Sequence, residues 1–92
     1  MQKEKYLELK YFCLQYKQKK SKCNDNTSEG RKALIEVKLI EQIAFEIYPE
    51  IASYIIESVA TGKSWSQLNV PCGRRQFYEA RNKFFNALSK IK

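Results

Sequence analysis

Apolar residues recur along this chain at spacings of three and four, and no run alternates apolar with polar positions for long enough to suggest a strand. The pattern predicts helices throughout. Tyr6, Leu9, Cys13 and Tyr16 form one stripe, widened by Leu7, Phe12 and Leu14, and imply a first helix over residues 2–20. The polar stretch Asn24-Asp25-Asn26-Thr27-Ser28-Glu29-Gly30 then interrupts it. Ser28 suits an N-cap, and after it Ala33, Val37, Ile40, Ala44 and Ile47 make a heptad-like seam. A second row, Ile35, Leu39 and Ile43, runs beside that seam, so this helix is expected at the centre of the fold with neighbours on two sides. Pro49 fits the first turn of a third helix, residues 49–61, where its missing N–H costs nothing. Ile51, Ile55, Ile56 and Val59 are the expected buried face of that helix.

Beyond Gly62 the chain reads as a short helix over residues 64–69, a tight turn through Val70 and Pro71, and a long final helix over residues 73–90. This is the spacing of a helix-turn-helix. Ser64 can cap the short helix, Trp65 and Leu68 pack it onto the core, and Val70 fills the apolar turn position. An ordinary corner between two helices has the same spacing. On the final helix Phe77, Ala80, Phe84, Ala87, Leu88 and Ile91 gather on one arc, with Tyr78 and Phe85 on its flank. The opposite arc holds Arg75, Gln76, Glu79, Asn82, Lys83 and Asn86. The expected architecture is an all-α, compact, four- to five-helix single domain over residues 1–92. Its parts are an N-terminal helix (1–22), a polar loop (23–30), central helices (31–61) and a C-terminal helix-turn-helix (62–92).

Composition narrows the function. With 43% hydrophobic and 13% aromatic residues in 92, the chain has the balance of one folded domain and no room for a second catalytic one. The net charge of +7 sits at the two ends: residues 1–22 carry seven Lys against two Glu, and residues 61–92 carry seven basic residues against Glu79. Near the first of these, Lys17, Lys19 and Lys20 close a helix whose dipole they complement, which is reason enough for them. At the second, charge is interleaved with aromatics, a pattern that suits an anionic polymer and equally a solvated basic surface.

The chain has no histidine, and its three cysteines, Cys13, Cys23 and Cys72, show no CxxC spacing. Free thiols are expected, with no zinc site and no cofactor, and cytosolic reduction opposes a Cys13–Cys23 bridge. Without histidine the commonest general base near neutral pH is missing. Cys72, beside Arg74 and Arg75 near a helix start, is a conceivable nucleophile, but no base or orienting carboxylate adjoins it. The chain is therefore not expected to be an enzyme. No apolar run approaches membrane-spanning length and the first residues do not read as a signal peptide, so a cytoplasmic protein with no membrane partner is expected.

Arg, Gln and Asn are the side chains that read base edges in the major groove, and recognition helices present them from their first turns. Arg75, Gln76, Glu79 and Asn82 are accordingly the candidate base-reading residues of a double-stranded DNA complex. Lys63, Arg74, Arg81, Lys83 and Lys90 are the candidate phosphate contacts.

The run Pro71-Cys72-Gly73-Arg74-Arg75-Gln76-Phe77-Tyr78, followed by Arg81, Lys83-Phe84-Phe85 and Leu88, resembles the C-terminal end of RinA/ArpU-type regulators of late transcription in phages and prophages of Gram-positive bacteria. Gly62-Lys63-Ser64-Trp65 and Leu68 fit the supporting helix of the same pattern. The resemblance covers residues 60–91, and Gly73 and Gln76 stand where that family would place hydroxyl residues. It implies a domain similar to DNA-binding region 4 of sigma factors, a role in transcription regulation, and RNA polymerase as a candidate partner of a monomer or homodimer. Two other readings stay open. A DNA-packaging protein like a terminase small subunit would use the first helix for a ring contact, and a host-inhibitor module would dock a protein on Tyr6, Tyr11, Phe12, Tyr16, Tyr78 and Phe85.

Overall fold

In a computed structural model the described residues, 3–22 and 27–91, form six helices and no strand. These are α1 (Lys3–Leu14), α2 (Tyr16–Lys22), α3 (Ser28–Ile47), α4 (Ala52–Thr61), α5 (Trp65–Leu68) and α6 (Arg74–Ile91). The long α3 packs against α2, α4 and α6, while α1 lies on α4 and α6. The seam expected on α3 is buried at Ala33, Val37, Ile40 and Ala44 and half-buried at Ile47. Its second row is only partly used: Ile43 is buried, Leu39 half-buried, and Ile35 is 68% exposed. Ile35 lies roughly 160° around the helix from Val37, too far to share its neighbours.

The cap of α3 falls one residue before the expected Ser28. Thr27 has extended backbone, and its hydroxyl oxygen accepts from the Gly30 N–H at 3.0 Å. Such a cap contributes about 1 kcal/mol. Of the expected polar loop over 23–30, residues 23–26, with Cys23, lie outside the described residues, and Ser28, Glu29 and Gly30 already belong to α3.

The predicted first helix is two helices. Gln15 bonds back to the Phe12 carbonyl at 3.4 Å, a three-residue step, and α2 restarts with Lys19 N–H on the Gln15 carbonyl at 2.9 Å. The break redirects the chain from α4 and α6, which α1 covers, onto α3, which α2 covers. There Tyr16 is buried and its hydroxyl donates to Glu41 at 2.9 Å. Tertiary contact overrides a local sequence with no helix breaker in it. Pro49 is likewise placed differently. It stands at the second position of a turn closed by Ile51 N–H on the Tyr48 carbonyl at 3.2 Å, a site proline's fixed φ favours, and α4 begins only at Ala52. The predicted face of α4 is nonetheless buried at Ile51, Ile55, Ile56 and Val59.

One apolar cluster joins the elements, from Leu9 and Cys13 through Ile40, Ala44 and Ile55 to Phe77, Phe84 and Leu88. Phe77 and Phe84 are fully enclosed, so α6 supplies the largest core side chains. The radius of gyration, 13.2 Å, is close to the roughly 12 Å expected of a compact domain this size.

Candidate nucleic-acid interface

The corner that carries α6 is built from local signals and two hydrogen bonds donated by Trp65. Gly62 ends α4 in the left-handed region (φ 79°), where a glycine is unstrained, and its N–H reaches the Ser58 carbonyl at 2.8 Å. The Gln67 side chain accepts from the Ser64 N–H at 2.9 Å, fixing the start of the single turn of α5. Asn69, also left-handed (φ 51°), ends that turn. Trp65 then ties α5 to α6. Its indole N–H donates to the Cys72 carbonyl at 2.9 Å, and its backbone N–H donates to Tyr78 Oη at 3.2 Å. Leu68, Val70 and Cys72 pack against the core from the same corner.

With Phe77, Ala80, Phe84, Phe85 and Leu88 buried, α6 turns its other side to solvent. Arg75, Gln76, Glu79, Asn82, Lys83, Asn86 and Lys90 are all exposed, and at 100° per residue they fall on one continuous arc. Arg75 is 94% exposed and its Nε lies 3.2 Å from Glu79 Oε1, one helical turn on. An exposed pair of this kind holds two side chains in register while contributing little stability. Arg74 sits at the edge of the arc, 5.9 Å from the Tyr78 ring centroid, and Lys83 lies 5.6 Å from the ring of Tyr48. Among the described residues no carboxylate is within ion-pair distance of Arg74, Lys83 or Lys90.

Two of the nine candidates stand apart from that arc. Lys63, on the α4–α5 connection, is 3.8 Å from Glu57. Arg81 is turned inward: its guanidinium donates to Ser58 Oγ at 3.2 Å and Tyr6 Oη at 3.3 Å, and it lies over the rings of Tyr78 and Phe85. Ser58 in turn donates to the Lys63 carbonyl at 2.8 Å. Arg81 therefore joins α1, α4 and α6 from inside, and a phosphate contact would have to break those bonds. Its position near the apolar boundary of the helix was the available sequence signal for this.

Three of the four lysines of α2 are used within the fold. Lys17 pairs with Glu57 (3.3 Å), Lys19 with Glu36 (3.1 Å) and Lys20 with Glu41 (3.2 Å). Lys20 also donates to Tyr16 Oη, and that bond with the Glu41 pair raises its pKa. The six-aromatic docking patch does not form as a surface: Phe12, Tyr16 and Phe85 are buried, Tyr6 and Tyr78 half-buried, and Tyr11 alone of the six is exposed. Of the broad apolar surface a ring contact would use, Leu9, Phe12 and Cys13 of α1 lie in the core, while Leu7, Tyr11 and Leu14 stay exposed. Cys13 and Cys72 are free thiols. Burial pushes the Cys13 thiol from 9.0 up to about 12, against the smaller opposing effects of the Lys19 and Arg81 charges. Cys72 is half-buried. Among the described residues no helix is long and apolar enough to cross a membrane.

Comparison of the chain with family models, curated proteins and solved structures returned no match.

Proposed function

We propose that this protein binds double-stranded DNA, with α5 and α6 acting as a helix-turn-helix and α6 entering the major groove. The observation that carries this reading is the exposed arc of α6. It combines base-reading side-chain types, Arg75, Gln76, Glu79 and Asn82, with cations that no described carboxylate neutralises. Trp65 supports the reading by hydrogen-bonding to both sides of the corner, which holds the supporting helix rigidly against the presented one. Lys63, Arg74, Lys83 and Lys90 neutralise phosphate, while Arg81 keeps the helix in place. The likeness of residues 60–91 to RinA/ArpU-type regulators suggests transcription as the process served, with RNA polymerase as a further partner.

Fluorescence anisotropy of a labelled random duplex, titrated at several salt concentrations, tests this. Four phosphate contacts give a slope of log affinity against log salt of about −3.6. No binding at low salt overturns the proposal.

A further inference from the structure

Between α5 and α6 lies a cleft of about 180 Å³ lined by Ser64, Trp65, Ser66, Arg74 and Tyr78. That is roughly the liquid volume of six waters, enough for a tetrahedral oxyanion. Its polar chemistry is rich in donors, and no carboxylate lines it. Arg74 is exposed and stands against the Tyr78 ring, which holds its planar fork at the cleft wall. Tyr78 Oη already accepts the Trp65 N–H at 3.2 Å, so its own proton is what it has left to offer. The exposed Ser66 hydroxyl lies 3.0 Å from Ser64 Oγ and needs only to rotate to meet a ligand. One cation with two hydroxyl donors and no acceptor-lined wall matches a singly charged group whose oxygens only accept.

We infer that this cleft seats one backbone phosphodiester of the bound DNA, with Arg74 supplying the charge and Ser66 and Tyr78 the neutral hydrogen bonds. The inference rests on the reading of α6 as the groove-entering helix and adds a fixed point to it. A phosphate gripped between the two helices sets how far along the strand, and at what tilt, Arg75 and Gln76 meet the bases.

Two measurements on the full chain decide it. In the first, inorganic phosphate is titrated against sodium chloride of equal ionic strength while the emission of Trp65, the sole tryptophan, is followed. A saturable change specific to phosphate, absent in Arg74→Gln and Ser66→Asp, is expected. In the second, duplex binding is measured for Arg74→Gln and Ser66→Ala, whose exposed positions leave the helical circular dichroism unchanged. Arg74→Gln lowers affinity about tenfold on every sequence and makes the salt slope shallower by about 0.9. Ser66→Ala lowers affinity severalfold on every sequence at an unchanged slope. Duplex binding that neither variant weakens overturns the cleft while leaving α6 as the reader. A phosphate response in Trp65 without duplex binding overturns the reading of α6, and with it the DNA ligand assigned to the cleft.

Discussion

The two ends of the chain hold nearly the same excess of positive charge, and the fold treats them differently. Three of the four lysines of α2 find a carboxylate: Lys17 on α4, and Lys19 and Lys20 on α3. Arg81 apart, the cations of α6 face solvent, and among the described residues they meet only the carboxylate of Glu79, on their own helix. A count of charges along a sequence therefore measures supply, whereas binding an anion depends on what remains after the neighbours in space are subtracted. The acidic middle of the chain is that subtraction, and α3 and α4 deliver it chiefly to the N-terminal end, with Glu57 alone also reaching Lys63 among the described residues.

The largest effect expected from this contrast is alkaline. The folded Cys13 thiol keeps its proton to about 12, while the unfolded thiol ionises near its ordinary value. The native state thus holds more protons as pH rises past 9, so the thiol's stabilisation is complete below that pH and is lost on the way to 12. Tyr16 is shifted the same way by its burial. Cys13→Ala costs about 1 kcal/mol of packing at pH 8. By pH 11 the wild type loses on the order of 3 kcal/mol that the variant does not, and the two urea stability curves cross. Parallel curves would break the claim that this end is committed to the core.

Next in size is Arg75→Ala, which costs about 1–3 kcal/mol on the preferred duplex and relaxes sequence preference, with thermal stability unchanged. Equal losses on preferred and random duplexes would remove Arg75 from the base-reading set. Lys19→Ala does the reverse: it lowers stability by about 1 kcal/mol and leaves DNA affinity alone. Its ammonium pairs with a mostly covered Glu36 and lies 4.0 Å from the Phe12 ring centroid. Smallest is Lys83→Ala, which weakens every sequence alike and reduces the salt slope by about 0.9, with no change in unfolding midpoint. A stability loss there matching that of Lys19→Ala would erase the distinction between the two ends.

The buried faces of α3, α4 and α6 are legible in the sequence because burial of one side of a helix writes itself into every third or fourth residue. The same register places Arg75, Gln76, Glu79, Asn82 and Lys83 together on the outer arc. What the local pattern does not hold depends on partners far away in the chain. The break at Gln15 follows from Tyr16 reaching Glu41, twenty-five residues on. Arg81 shares its residue type with Arg74 and Arg75; its place near the apolar boundary is a local hint, and the meeting of Tyr6 and Ser58 at its guanidinium is what turns it inward. The cleft with Ser66 depends on Tyr78 docking on the backbone of Trp65, thirteen residues back, which no local pattern encodes.

The Arg81–Tyr6 hydrogen bond spans 75 residues and makes a clasp between the two ends of the chain. A clasp of that span closes a long loop, and the entropy of closure is met only once the intervening helices have ordered. α6 thus reaches its final seat late in folding, together with α1. Local opening at the N-terminal end releases the inward grip on α6, so amide exchange in the two helices rises and falls together although residues 15–73 lie between them.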